Sequence, residues 1–273
     1  MLTSAYDLVA PNFDSYRALP SSVAQAIRTA VLNYAPPSAH PRLLDLGAGS
    51  GRIGWPFVAA NDDYIGVDLS AGMLLEFARR AAEQGSAARL LQADGEQLPF
   101  RDATFDAVML IQVFGGLRGW RRFIVEARRV LRPAGALIIG RTTMPSDGLD
   151  AHMKQRLAAI LKELAIERDR ANARDDIAQW LESNAISSET MIAARWSANR
   201  TPRAFIERHG SGARFSALPV PLKAQALSEL ATWAIVTFGS LDAARLEPLA
   251  FELQVFRFHS GNRSCRKHRT TPC

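Results

Sequence analysis

The feature that most constrains this chain is an apolar stretch that ends in an aspartate and runs into three alternating glycines. The stretch begins at Leu43 and reaches Asp45, and the glycines follow at positions 47, 49 and 51. Because glycine has no Cβ, such a segment can turn sharply and let a ligand lie against the backbone. We therefore expect a strand-to-helix turn that holds a flat ligand.

Strand-like and helix-like segments alternate from residue 42 to about residue 141. Short apolar runs bounded by Gly, Asp or Pro predict strands at 43–46, 64–68, 88–94, 107–113 and 136–140. Amphipathic stripes between them predict helices that begin near Ser70 and Trp120. This alternation implies right-handed βαβ crossovers and a parallel, doubly wound sheet, with ligands at the carboxyl ends of its strands.

The flanking segments predict further helices and strands. Two aromatic–acid pairs, Tyr6-Asp7 and Phe13-Asp14, precede a helix expected from about residue 21 to 34. The pairs are typical either of packing on the core or of a segment that lies over the ligand pocket. Downstream we expect helices at 148–170, 175–181, 202–209 and 221–238, a last strand at 251–258, and a run compatible with a strand at 191–196.

The net charge of +6 and the pI of about 9.8 first suggest a nucleic-acid partner. Four of those six charges lie in residues 262–273, which contain no acidic residue, so only two remain for the rest of the chain. We interpret 260–273 as a disordered basic tail. The arginines at 121, 122, 128 and 129 are interpreted as a solvated helix face. Nucleic acid is therefore not an expected partner.

The composition predicts a cytoplasmic protein without a membrane partner. No apolar run approaches the roughly 20 residues that a membrane helix needs. The only cysteines are Cys265 and Cys273, so the sequence offers neither a disulfide framework nor cysteine chemistry in the core. No spacing of His, Asp and Glu is typical of a metal site, and we predict none.

Acidic residues at the ends of the predicted strands limit the class of ligand that the glycine turn can bind. A dinucleotide fingerprint would have a third glycine at the position of Arg52, which argues against a nicotinamide or flavin enzyme. Asp68 can accept hydrogen bonds from both hydroxyls of a ribose, and Asp94 can accept one from an adenine amine. Acids without a basic phosphate clamp favour a nucleoside that carries no pyrophosphate.

Five ordered blocks across roughly residues 40–143 carry a family resemblance: 45–51, Asp68, Asp94-Gly95, 98–106 and 127–137. Together they resemble the class I S-adenosylmethionine-dependent methyltransferases, in the branch that acts mostly on small molecules. The early aromatic–acid pairs also resemble, loosely, the entry segment of methyltransferases of quinone biosynthesis.

The resemblance implies a Rossmann-like α/β fold. Its seven-stranded sheet is mostly parallel with an antiparallel last strand, and it carries an N-terminal helical cap and a helical insertion. We expect a cap at 1–40, a cofactor-binding core at 41–145, an insertion and acceptor lobe at 146–215, and a last helix and strand at 216–259. The 260–273 tail would follow.

The resemblance also implies S-adenosyl-L-methionine as cofactor and assigns its contacts. The methionine part would lie at Asp45, Gly47 and Gly49, and the ribose at Asp68. The adenine would meet Asp94 and Gly95 between Leu69 and Leu98, and Gln112 would lie near the transferred methyl group. The full expected set is Asp45, Gly47, Ala48, Gly49, Gly51, Asp68, Leu69, Asp94, Gly95 and Gln112.

No catalytic residue is assigned. The run 111–117 after the fourth strand is apolar apart from Gln112, and the chain has no Asn/Asp-Pro-Pro-aromatic signature of amine methylation. Methyl transfer from a sulfonium needs little acid–base help, because the donor is already activated and positioning supplies much of the rate. His152 and His209 are the candidate bases, and a surface or packing role is the alternative for each. Trp180, Trp196 and Trp233 could line an acceptor site, but core packing is the simpler interpretation.

Three functions remain open at this point. The first is methyl transfer by in-line displacement to an unidentified small molecule. The second is a non-catalytic protein that keeps the adenosyl pocket as a binding module. The third, disfavoured by Arg52, is an NAD(P)-dependent oxidoreductase.

Overall fold

The computed structural model describes residues 4–17, 19–114, 119–164, 173–185, 187–212, 215 and 218–258. Its strands form one seven-stranded sheet in the order β3-β2-β1-β4-β5-β7-β6. They are β1 Leu43–Leu46, β2 Tyr64–Asp68, β3 Leu90–Gln92, β4 Phe105–Ile111, β5 Leu131–Thr143, β6 Ser187–Arg200 and β7 Arg245–Arg257.

The first five strands pair in parallel, and β7 pairs antiparallel with both β5 and β6. Six strands therefore run in one direction and only β7 runs against them. This confirms the predicted Rossmann-like α/β sheet with an antiparallel last strand.

Eight helices are described: α1 Ser21–Tyr34, α2 Trp55–Ala59, α3 Ala71–Glu83, α4 Trp120–Val130, α5 Leu149–Glu163, α6 Ala173–Asn184, α7 Pro202–Gly210 and α8 Val220–Phe238. Two short 3-10 helices, Ala10–Asn12 and Asp14–Tyr16, precede them. Ser70 caps α3, since its Oγ accepts a hydrogen bond from the Met73 amide at 3.2 Å. Pro56 lies in the first turn of α2, where its missing N–H costs no helical hydrogen bond. No described helix is both long and apolar enough to cross a membrane.

Apolar side chains cover the sheet on both faces. One cluster joins α1, α2 and α3 to the face that carries Met109 and Ile138, and a second joins α4 and α6 to the face that carries Val108 and Leu137. The helix α1 thus packs against one face of the sheet. Strands buried on both faces are expected to be apolar throughout, and all seven residues of β4 are buried.

A third apolar cluster forms a helical lobe from α5, α7 and α8. The chain enters this lobe from the end of β5 and again from the end of β6. Its last exit leads into the antiparallel β7. All three connections lie at the same edge of the sheet, where the parallel strands end. The lobe is therefore attached at the carboxyl edge, where ligands of doubly wound sheets bind.

Several boundaries differ from the sequence predictions. The 146–215 range, expected as a helical insertion, also contributes β6 to the sheet. β4 ends at Ile111 instead of residue 113, because Gln112 has a φ of +58° that leaves the extended region. Helix α5 ends at Glu163, and the remainder of the predicted 148–170 helix falls partly on 165–172, outside the described residues. The predicted 260–273 tail also lies outside them.

Two arginines of α4, Arg128 and Arg129, are not part of a solvated face. Arg128 is half-buried and its guanidinium lies 4.2 Å from the centre of the Phe258 ring. Arg129 donates to the carbonyls of Leu98 and Phe100 at 2.9 and 2.8 Å, and pairs with Glu126 at 2.8 Å. Glu126 in turn accepts from the Leu98 amide at 2.9 Å. The Arg129 and Glu126 side chains together fix the loop that follows Asp94, so the interpretation of a wholly exposed arginine face was wrong for Arg128 and Arg129.

We expect Arg129→Leu to lower the free energy of unfolding by about 2 kcal/mol, because two loop carbonyls and Glu126 lose a charged donor. Urea denaturation would measure the change. Arg122→Leu on the same helix is the matched control: the Arg122 side chain is 83% exposed, and its removal should change stability by less than about 0.5 kcal/mol. Equal effects of the two substitutions would contradict the role of Arg129.

Candidate functional site

The turn after β1 is built from three glycines in conformations that other residues rarely adopt. Gly47, Gly49 and Gly51 have φ values of +92°, +56° and +80°. A Cβ at Gly47 would lie 2.3 Å from Val113 Cγ2, so the turn also passes too close to the end of β4 for any side chain. The amides of Gly47 and Ala48 both donate to the Val67 carbonyl, which anchors the turn to β2.

Asp68, at the end of β2, lies between this turn and the start of α3. One carboxylate oxygen accepts from the Gly49 amide at 2.9 Å and the other from the Ser70 amide at 2.8 Å. Burial raises the pKa of Asp68, although these amide hydrogen bonds oppose the increase. The half-buried carboxylate therefore holds strand, turn and helix together at one point.

Asp45 lies beneath the turn and is 1% exposed. Its Oδ2 accepts from the Tyr64 hydroxyl at 2.7 Å, while Oδ1 has no hydrogen-bond partner among the described residues. Burial raises the pKa of Asp45 to about 7. A buried carboxylate oxygen without a donor can accept from a cationic donor such as an ammonium group.

The remaining predicted adenine contacts lie at the end of β3. Asp94 is exposed, and its Oδ1 accepts from the Glu96 amide at 2.9 Å in a tight turn. Gly95 is buried against Phe123, where a Cβ would lie 2.0 Å from the ring. Leu69 is 37% exposed, whereas Leu98 is only 4% exposed and belongs to the core cluster. Of the two expected flanking leucines, therefore, only Leu69 has substantial free surface.

Gln112, at the end of β4, is held in an unusual backbone conformation by contacts of its side chain. Arg52 donates to its Oε1 at 2.6 Å, and its Nε2 lies 2.9 Å from Thr142 Oγ1. Arginine has no acceptor, so the amide oxygen must face Arg52 and the NH₂ group must face Thr142. The orientation of Gln112 is thus determined by its neighbours.

The two aromatic–acid pairs lie across this edge of the sheet, in residues 4–17, which we call the N-terminal strap. Asp7 accepts from the Ser70 hydroxyl at 2.5 Å and from the Gly72 amide at 3.0 Å, and these hydrogen bonds lower its pKa. Asp14 accepts from the Ser50 hydroxyl at 2.6 Å and also from Arg80. The strap therefore spans the glycine turn from the start of α3.

The sequence analysis assigned no contacts to Arg52 and Arg17. Arg52 donates to the Arg17 carbonyl and lies 4.0 Å from Asp14. The Arg17 guanidinium donates to the Arg208 carbonyl of α7 at 2.6 Å, which links the strap to the helical lobe. The sequence signal for Arg17 was its position three residues after the second aromatic–acid pair.

Each candidate base uses its Nδ1 nitrogen in a contact with a main-chain carbonyl four residues earlier in the chain. His152 Nδ1 lies 3.0 Å from the Gly148 carbonyl, and His209 Nδ1 lies 2.9 Å from the Phe205 carbonyl. His209 stacks on the Phe205 ring at 3.8 Å, and burial lowers its pKa to about 4. These contacts favour the packing role for His209. Across the part of the chain that the structure describes, no group of three His, Cys, Asp or Glu residues could hold a metal ion.

Comparison with known proteins gives concordant matches. Residues 44–139 match the family model of a methyltransferase domain. The chain is 29% identical over 170 residues to demethylmenaquinone methyltransferase of Clavibacter sepedonicus, which covers 60% of this chain and 69% of that protein. It is 32% identical over 135 residues to malonyl-[acyl-carrier protein] O-methyltransferase of Methylococcus capsulatus, covering 49% of this chain and 48% of that protein.

The fold has a close counterpart among solved structures. The YcgJ protein from Bacillus subtilis superposes with a TM-score of 0.55 at 20% identity, over 86% of this chain and 99% of that chain. For the first five curated relatives, the match spans between 48% and 69% of the relative's own length.

The glycine turn and the acids that end successive strands lie inside the matched region, residues 44–139, which is similar to a methyltransferase domain. The curated relatives that align with this chain are themselves named as methyltransferases.

Proposed function

We propose that S-adenosyl-L-methionine lies along the glycine turn and that the chain transfers its methyl group to a small molecule bound between the strap, the end of β4 and the helical lobe. The observation that carries this proposal is the position of three acids, Asp45, Asp68 and Asp94, on or directly after the three neighbouring strands β1, β2 and β3. The proposed contacts are Asp45, Gly47, Ala48, Gly49 and Gly51 for the methionine part, Asp68 for the ribose, Leu69, Asp94 and Gly95 for the adenine, and Gln112 near the methyl group.

The chemistry of these residues fits the cofactor. An ammonium group, a ribose diol and an adenine amine are all hydrogen-bond donors, and the three acids are acceptors. The acceptor-only oxygen of Asp45 that lacks a partner is suited to the ammonium group. The open space around Gly49, where a Cβ would meet nothing within 4 Å, leaves room for a ligand against the backbone.

The residues at the end of β4 would position the acceptor. The cofactor supplies an activated methyl group, so the protein has to orient the acceptor's lone pair in line and exclude water. Gln112 offers a fixed amide for that purpose, and the strap covers the edge above it. A general base is not required, which agrees with the ring contacts of His209 inside the lobe.

The acceptor itself stays open. The two relatives above are named for different acceptors, and the family match ends at residue 139, before the helical lobe begins. We also place the enzyme in the cytoplasm, since S-adenosylmethionine is a cytoplasmic metabolite.

Transfer can be tested with methyl-labelled S-adenosylmethionine and a cell extract. We expect label to enter the small-molecule fraction only when the protein is present. Binding of S-adenosylhomocysteine by calorimetry, without transfer to any extract component, would favour the non-catalytic binding module. Absence of binding by a folded protein would refute the cofactor site, and co-purified NAD(P) would favour the oxidoreductase.

We expect Asp68→Asn to weaken binding of S-adenosylhomocysteine by about 1.5–3 kcal/mol, because the ribose loses a charged acceptor. Calorimetry would measure the affinity, and thermal melting would verify the fold. Asp242→Asn is the matched control: its carboxylate is 63% exposed and pairs with Arg203 far from the turn. An unchanged affinity for Asp68→Asn would contradict the ribose assignment.

We further expect the affinity for S-adenosylhomocysteine to rise about eightfold between pH 6 and pH 7.5. The ammonium group binds the ionised form of Asp45, and a pKa of about 7 makes that form scarce at pH 6 and dominant at pH 7.5. Asp45→Asn should remove this pH dependence. 5′-Methylthioadenosine, which lacks the ammonium group, is the control ligand. An equal pH dependence for both ligands would contradict the role of Asp45.

A further inference from the structure

The positive charges of two neighbouring arginines, Arg17 and Arg52, are not fully balanced by described carboxylates. Arg17 donates only to main-chain carbonyls, those of Phe13 at 3.3 Å and Arg208 at 2.6 Å. None of the described carboxylates lies within 4.0 Å of its guanidinium nitrogens. Its guanidinium carbon lies 4.5 Å from the centre of the Phe13 ring. The carbonyls and the ring therefore give the Arg17 guanidinium hydrogen bonds and an aromatic contact, but they carry no negative charge that would balance it.

Among the described residues, one carboxylate lies within 4.0 Å of Arg52, and Arg52 shares it with Arg80. Asp14 lies 4.0 Å from Arg52 but makes its direct ion pair with Arg80 and also accepts from the Ser50 hydroxyl. The Arg52 side chain is only 16% exposed. One carboxylate thus faces two guanidinium groups, and Arg52 contributes positive charge that the described residues do not balance.

The two guanidinium groups are close to each other. Both lie over the Phe13 ring, at 4.5 and 5.7 Å from its centre, and Arg52 also donates to the Arg17 carbonyl. Burial lowers the pKa of Arg52 to about 10, and the nearby Arg17 charge lowers it further, while burial and Arg208 lower the pKa of Arg17. Arg208 beside them pairs with Asp150 at 2.6 Å, so its charge is balanced by a carboxylate, in contrast to that of Arg17.

We propose that Arg17 and Arg52 form a carboxylate-binding subsite beside Gln112, between the strap and the glycine turn. Guanidinium groups bind carboxylates through charge-assisted, often bidentate hydrogen bonds, and a partly buried cation pair gains most from such an anion. The subsite rests on the proposed function, because the ligand that fills it is either the carboxylate of the cofactor's methionine part or an anionic group of the methyl acceptor.

Two ligands separate these sources. S-adenosylhomocysteine carries the carboxylate, whereas 5′-methylthioadenosine shares the nucleoside and the sulfur but carries no amino-acid group. Acetate, added to the protein saturated with S-adenosylhomocysteine, stands for an anionic acceptor. Sodium chloride at equal ionic strength is the control for general screening of charge.

The variants are Arg17→Gln, Arg17→Lys and Arg52→Gln. Arg17→Gln is the principal one, since Arg17 bonds only to carbonyls and its loss leaves no buried carboxylate unpaired. Arg79→Gln is the matched control, as this α3 arginine is 60% exposed and pairs with Glu76 and Glu83 on its own helix. Thermal melting without ligand confirms that each variant is folded.

If the cofactor fills the subsite, Arg17→Gln weakens S-adenosylhomocysteine by about tenfold or more and leaves 5′-methylthioadenosine within about twofold. If the acceptor fills it, both nucleosides bind normally, but acetate raises the melting temperature of the wild-type complex more than chloride does, and Arg17→Gln removes that increase. In either case Arg17→Lys restores part of the effect.

The subsite is refuted if Arg17→Gln and Arg52→Gln behave like Arg79→Gln toward both nucleosides and acetate. Failure of the wild-type protein to bind S-adenosylhomocysteine would instead refute the proposed function. The acetate titration on the free protein would then still decide the subsite.

Discussion

The hydrogen bond from the Gly49 amide to Asp68 joins the end of one strand to the turn that follows its neighbour, and the geometry of the whole edge depends on it. Asp68 can reach this amide because β1 and β2 are adjacent and parallel, so both end at the same edge of the sheet. Its second oxygen accepts from the amide of Ser70, the cap residue of α3, and the Ser70 hydroxyl donates to Asp7 of the strap. One carboxylate thereby fixes a turn, a strand end and a helix start, and the strap is attached to the same point.

The charges at this edge are arranged in two regions of opposite sign. Asp45 is buried and Asp68 is half-buried, neither makes an ion pair with a described basic side chain, and burial is the main cause that raises the pKa of each. Arg17 and Arg52 lie toward β4 and the lobe, and the carboxylate near Arg52, Asp14, makes its direct ion pair with Arg80. A ligand with a cationic and an anionic end would be oriented by such a field before any specific contact forms. Such a ligand would place its cationic end at the unpaired oxygen of Asp45 and its anionic end at Arg17.

The sequence predicted the parallel core and the acids at its strand ends, because both depend on local patterns: apolar runs, helical stripes and glycines before a helix. It did not predict the hydrogen bonds of Arg52, a residue that we interpreted only as the absence of a third fingerprint glycine. The contacts of Arg52 are made with residues 35 and 60 positions away, and no local pattern encodes them. The conformation of Gln112 and the loop contacts of Arg129 were missed for the same reason. The strand β6 was expected only at 191–196, since its first residues are exposed and lack a regular alternation.

The structure also explains why the cofactor side is easier to recognise than the acceptor side. The family match stops at residue 139, whereas the lobe is built from three later helices whose apolar side chains pack mainly on one another. Its buried Asp150–Arg208 ion pair lies inside the lobe, and the strap reaches α7 through a main-chain carbonyl. A contact to a carbonyl does not depend on which side chain stands at that position. The side chains of the lobe can therefore change while the strap and the glycine turn keep the same geometry.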